Sequence, residues 1–156
     1  MAKEIMRRTA SDNEYLHKDF HASMNIGLEF LRKNYGKEGV IDYLKTFTKK
    51  YHAPLTEGLK KEGLKVLKDY FQKIYEAEKA PCTIEYEEDC MIVKIDECPA
   101  LKHLREMNVA PSPYYEYTTL TVYETVCEGT PFAFECVEYD RITGKSILKF
   151  YRRDKI

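Results

Sequence analysis

Apolar positions in the first half of the chain recur with the period of a helix. Leu16, Phe20, Met24, Gly27, Leu28, Leu31 and Tyr35 follow one another mostly three or four residues apart, the spacing that aligns side chains on one helical face. Ser11 and Glu14 form an S-x-x-E capping box, and Gly36 supplies a stop after Tyr35. The pattern predicts one long amphipathic helix. A second is predicted over about 38–51, with Val40, Leu44, Phe47 and Tyr51 as its stripe; it ends at His52-Ala53-Pro54-Leu55 because Pro54 disfavours helical geometry at the residue before it. A third is predicted over about 56–78, on Leu59, Gly63, Leu67, Tyr70, Phe71 and Ile74.

The period changes after Pro81. Residues 83–87 and 91–95 alternate across a short acidic turn, a hairpin signal. Cys98-Pro99 opens a short helix with Leu101, Leu104 and Met107 on its apolar side, since proline is favoured at the first helical position. Over 114–128 the Tyr, Thr and Val content favours strand. Against that, Ser112-Pro113 reads as an N-cap followed by proline and Gly129 as a stop, so helix is the expectation. The chain closes with a second hairpin, Phe132, Phe134 and Cys136 on one strand and Leu148 and Phe150 on the other, with Gly144 in the turn. The sum is an α+β fold: N-terminal helices, then two β-hairpins in a small antiparallel sheet with two intervening helices. No low-complexity linker separates the parts, so residues 1–156 read as a single α+β domain, helical over about 11–80 and hairpin-rich over about 81–153.

Composition narrows the function classes. Lys plus Arg is 25 and Asp plus Glu is 26, a net charge of −1, so no general nucleic-acid partner is expected. No apolar run is long enough to span a bilayer and no targeting signal follows Met1, so no membrane partner and a cytoplasmic location are expected. Five cysteines, at 82, 90, 98, 127 and 136, are an odd set and are expected to be reduced thiols. The chain has no C-x-x-C and none of the phosphate-loop, dinucleotide, nucleophile-elbow or H-E-x-x-H signatures, so neither cofactor nor metal is expected. Thirteen tyrosines without a tryptophan suggest an aromatic-lined cavity, or a core with wet edges.

Cys98 is the leading chemical candidate. As N-cap its sulfur lies beside unpaired N–H groups at the positive end of a helix, which lowers a thiol pKa. Asp96 and Glu97 work the other way. His17 and His21 share one side of the first helix within its apolar stripe, where a histidine needs a buried partner or titrates abnormally. His52 stands at a helix end, suited to capping the last carbonyls or to a site; His103 reads as a surface residue. Arg152 could hold a carboxylate, and Tyr114, Tyr115 and Tyr117 could line a cavity. The other cysteines read as a buried small hydrophobe (Cys136) or as turn and helix-end residues (Cys82, Cys90, Cys127). A zinc site built from Cys98, Cys127 and a histidine has no motif behind it.

Three segments carry a family resemblance: Lys18-Asp19-Phe20-His21 with Met24-Asn25 and Gly27; Phe47 with Tyr51 and Pro54-Leu55; and Glu97-Cys98-Pro99-Ala100 after a hairpin. In order and spacing the chain resembles the L-2-amino-thiazoline-4-carboxylic acid hydrolase-like family. The resemblance implies a hydrolase acting on a small cyclic amidine that carries a carboxylate, through addition of water and ring opening. Such chemistry needs a nucleophile, an acid or base and a cation for the carboxylate. Local chemistry offers Cys98 and His21 as catalytic residues, with His52, Arg105, Arg152 and Tyr114 in substrate binding. The latter half is also similar to small-ligand-binding domains of the vinyl-reductase type, although its tyrosines stand where Cys or His is expected. A non-catalytic small-molecule-binding or sensory domain is therefore the alternative, ahead of a metal-binding protein or an interaction role. The expected partner is a small molecule, and a homodimer is the base-rate expectation.

Overall fold

The computed structural model describes residues 17–155. The capping box of Ser11 and Glu14 lies outside them. The elements run α1 (His17–Tyr51), α2 (Ala53–Glu62), α3 (Leu64–Ala77), β1 (Cys82–Tyr86), β2 (Cys90–Ile95), α4 (Pro99–Glu106), α5 (Tyr117–Cys127), β3 (Phe132–Tyr139) and β4 (Ser146–Arg152), followed by a 3-10 turn, Arg153–Lys155. The class is α+β, with helices first and the strands in antiparallel hairpins.

Two glycines divide the helical half. Gly36, at φ 67 and ψ −164, breaks the helical run inside α1 where a stop is expected, so the two limbs of α1 are the first two expected helices. Gly63 has almost the same geometry, φ 72 and ψ −159, and divides the expected third helix into α2 and α3. A positive φ is what a missing Cβ makes cheap. At Gly63 an added Cβ would also lie 3.6 Å from the Phe132 ring. The apolar stripe through Gly63 therefore marked the inward face correctly but hid the break.

α3 and α4 end in the same way. Ala80 N–H donates to Tyr75 O and Lys79 N–H to Glu76 O, while Val109 N–H donates to Leu104 O and Asn108 N–H to Arg105 O. These are Schellman closures. Each needs a left-handed residue, supplied by Lys79 (φ 52) and Asn108 (φ 55) where glycine is usual. α5 is helical as expected but starts late. Ser112 and the residues after it form tight turns, Tyr115 N–H donating to Ser112 O and Thr118 N–H to Tyr115 O, before the helix proper begins at Tyr117.

The two hairpins fuse along β2 and β4 into one sheet of order β1-β2-β4-β3. Register sets Met91 opposite Phe150, Val93 opposite Leu148 and Phe134 opposite Phe150, which gathers the apolar set on one face. Phe71 of α3 and Tyr123 of α5 pack on Phe150 at ring distances of 5.7 and 5.6 Å. This core takes Leu59, Leu64, Leu67, Val126 and Phe132 as well. A second core joins Met24, Leu28, Val40 and Leu44 of α1 to Leu101 and Leu104 of α4 and to Tyr115 and Val122. α5 thus contributes to both.

Asn25, only 3 % exposed, locks α1 to the chain ahead of α5. Its amide donates to Ala110 O at 3.1 Å and its Oδ1 accepts from Ser112 N–H at 2.7 Å. Asn25→Ala strands both backbone groups and is expected to cost about 1–3 kcal/mol, read as a lower denaturant midpoint at unchanged slope.

Candidate functional site

A cavity of about 190 Å³ opens where the two cores meet. α1 contributes Phe20, His21, Met24, Leu44, Phe47 and Tyr51, and His52 follows at its end. α3 presents Tyr70, Ile74 and Tyr75, with Glu78 just past its last residue. Cys98, Pro99 and Ala100 line it from the start of α4, and Tyr115, Thr118, Val122 and Tyr123 from the α5 side. Cys98, His21 and His52 therefore share one cavity.

Glu78 is the least expected member. The Schellman closure of α3 fixes its backbone, and its side chain is 7 % exposed. Burial pushes its carboxyl up to about 7 from an ordinary 4.5. His21 Nε2 lies 3.0 Å from Glu78 Oε1, in hydrogen-bond contact. A carboxylic acid poised near neutrality against an imidazole can take up or release a proton at little cost.

Cys98 is the N-cap of α4, with Pro99 at the first helical position, as expected. The Ala100 and Leu101 amides pull its thiol pKa down, although no capping hydrogen bond closes. Burial outweighs them and the nearby Glu78 adds to it, so the thiol is raised and stays protonated at neutral pH. The expectation of a thiol activated by the helix end is corrected on this point. A neighbouring turn fixes its place. Cys98 N–H donates to Thr143 O at 2.9 Å, and a Cβ on Gly144 (φ 70) would fall 2.2 Å from Cys98 Cβ.

His52 follows the last residue of α1, and its backbone N–H donates to Thr48 O at 2.9 Å. Its ring stands edge-on to Tyr70 at 5.9 Å, Phe47 at 6.0 Å and Tyr51 at 5.0 Å, and burial lowers its pKa. Tyr70 is pushed up to about 12 by burial, and Tyr75, Tyr115 and Tyr123 are raised as well. Apart from the His21–Glu78 pair, the wall is mainly aromatic.

Three expected substrate-binding residues lie elsewhere. Arg105 bonds Glu97 and Ile142 O and lines a separate cleft of about 340 Å³, which shares only Tyr115 with the cavity. Arg152 pairs with Asp89 at 2.6 Å and covers the Phe132 ring at the end of β4. Tyr114 packs edge-on against Tyr117 outside the cavity. The side chain of His17 is not described. Cys127 belongs to the sheet-side core, apart from Cys98, and among the described residues no three His, Cys, Asp or Glu groups come together as metal ligands. No helix among the described residues is long and apolar enough to cross a membrane.

Sequence reasoning missed Glu78, yet a signal existed. It falls four residues after Ile74 and seven after Phe71, so it extends the apolar stripe of α3. A carboxylate in that position is out of place unless used.

Comparisons of the chain with protein-family models, with curated proteins and with solved structures return no match. The cavity's own chemistry thus carries the case for function.

Two outcomes test this geometry. Gly144→Ala is expected to lower stability by more than about 1 kcal/mol, through a strained φ and a clash with Cys98, and to raise the labelling rate of Cys98 as the turn is pushed off. For Glu78 the folded pKa lies above the unfolded one. Its stabilising share is therefore complete below about pH 4.5 and is lost as pH rises through about 7. Glu78→Gln, which cannot ionise, should gain on the wild type between pH 5 and pH 8 by on the order of 1 kcal/mol, about 2–4 °C in Tm. A difference that does not vary with pH would show that the carboxyl is not raised.

Proposed function

We propose that this chain is a small-molecule-binding protein whose ligand occupies the cavity between α1, α3, α4 and α5. The observation that carries this is the aromatic, largely apolar wall around a few convergent polar groups, Glu78, His21, His52 and Cys98. That combination is the usual build of a ligand site, in which apolar surface gives affinity and a few polar atoms give orientation. A volume of about 190 Å³ suits a molecule the size of one substituted ring. The raised thiol of Cys98 also favours binding over cysteine chemistry, because the thiolate is the nucleophile.

A second reading is hydrolysis of a small C–N compound, and one observation favours it. Glu78, poised near neutrality, contacts His21 in the cavity that Cys98 also lines. In such a reaction the pair takes the thiol proton as sulfur adds to the carbon of the C–N bond and passes it to the leaving nitrogen. Water then cleaves the sulfur–carbon bond. An aminothiazoline acid itself fits less well. Its carboxylate needs a cation, and Arg105 and Arg152 are engaged with Glu97 and Asp89 away from the cavity.

Alkylation of Cys98 against pH, read by mass spectrometry on the native protein, separates the two. Binding predicts slow labelling at pH 7, an apparent pKa above the free-thiol value of about 8.5, and further slowing by a ring-sized ligand. Fast labelling at pH 7, with turnover of a cyclic amidine abolished in Cys98→Ser, would replace binding with catalysis.

A further inference from the structure

Resting on the binding reading, we propose that the ligand of this cavity is a small organic cation, held by the Glu78 carboxylate and by the faces of the surrounding aromatic rings. Among the described residues Glu78 is the one acidic group on the wall, and no lysine or arginine lines it. Its Oε1 is in contact with His21, while Oε2 has no protein partner among those residues. A carboxylate oxygen open to an apolar-walled cavity is an acceptor that a ligand's donor can reach. A charged donor satisfies it best, since such hydrogen bonds are roughly twice as strong as neutral ones.

The rings supply the second half of the recognition. Phe20 stacks on Phe47 at 6.2 Å, Phe47 on Tyr51 at 5.1 Å, and His52 meets Tyr70 edge-on at 5.9 Å. These rings form a continuous aromatic band along one side of the cavity. Where such a ring turns its negative face to the cavity, it attracts an alkylammonium or similar cation. A carboxylate set among aromatic rings is therefore complementary to positive charge, and an acid would meet repulsion from the carboxylate.

The groups facing Glu78 leave it to govern the charge of the site. From α3 come Tyr70 and Tyr75, from the α5 side Tyr115 and Tyr123, and from α4 Cys98, all held neutral by burial. Burial lowers the pKa of His52, Tyr51 stands beside it, and among the described residues His21 of α1 is the further titratable neighbour. Ionisation of Glu78 then creates the negative charge that a cation needs. Affinity for a permanent cation rises with pH through the neutral range.

The test uses a pair of probes of one shape, phenyltrimethylammonium and uncharged tert-butylbenzene, titrated into the full chain by calorimetry or NMR at pH 6 and pH 8. The cation is expected to bind at least about tenfold more tightly than its isostere at pH 8. That advantage should shrink at pH 6 and vanish in Glu78→Gln, where the neutral probe still binds. Equal or tighter binding of tert-butylbenzene to the wild type overturns the cation assignment and leaves the binding reading standing. Binding of neither probe overturns both.

Discussion

One helix has to serve two cores. α5 sends Val126 and Cys127 into the core on the sheet and Val122, with Tyr115 ahead of it, into the core between α1 and α4. Its sequence is poor in strong helix formers, and its hold on helical geometry comes from packing and from its threonines. Thr125 Oγ1 donates to Thr121 O and Thr118 Oγ1 to Tyr115 O, each at 2.7 Å, so both hydroxyls are satisfied locally. Val122 and Tyr123, adjacent near the middle of α5, face different cores, so the helix runs along the seam between them. Tyr70, Tyr75 and Tyr123, rings with polar tips, line that seam. The cavity follows from that seam.

The same seam decides the electrostatics. Cys98 stands at the positive end of α4, where the dipole favours thiolate; Glu78 stands at the negative end of α3, where it disfavours carboxylate. Such end effects are typically about 0.3–1 kcal/mol, less than one pKa unit. Desolvation of a buried group reaches several units, so burial overrules the dipole at Cys98 and prevails at Glu78. Every titratable group with a resolved shift on the wall is moved towards its neutral form. Glu78 lands near the pH of a cell while the thiol is pushed away from it, so the carboxyl, not the thiol, changes charge with conditions.

What could be read from the chain, and what could not, divides along the same physical lines. The helical stripes, both hairpins and the N-cap at Cys98 depend on neighbours within a few residues, and each appears where the pattern put it. Of the two glycine breaks, the one at Gly36 was legible as a stop, whereas the one at Gly63 depends on a backbone φ that hydrophobic periodicity does not encode. His21, His52 and Cys98 were legible as chemically unusual residues, but their meeting in one cavity is a product of tertiary packing. Arg105 and Arg152 show the reverse failure. Residue type made them anchors, whereas their carboxylate partners Glu97 and Asp89 bind them in salt bridges. Glu78 was visible only as a polar residue on an apolar stripe, a weak mark until burial gives it weight.

The β3–β4 turn explains why one side of the cavity is built firmly and the other is not. Asp140 Oδ1 accepts from Ile142 and Thr143 N–H, both at 2.8 Å, which shapes the turn. From it Thr143 O holds Cys98, Arg105 reaches back to Ile142 O, and Arg141 grips the largely buried Glu116 with two bonds of 2.8 Å. The starts of α4 and of α5 are thus tied to one hub by directional hydrogen bonds. Across the cavity, the rings of Phe20, Phe47 and Tyr51 meet by stacking, with Phe20 42 % and Tyr51 63 % exposed. Ring contacts shift by rotation at small cost, whereas a buried hydrogen bond is lost at 1–3 kcal/mol or so. The side that carries Cys98, pinned against Gly144, is therefore held more firmly than the aromatic side.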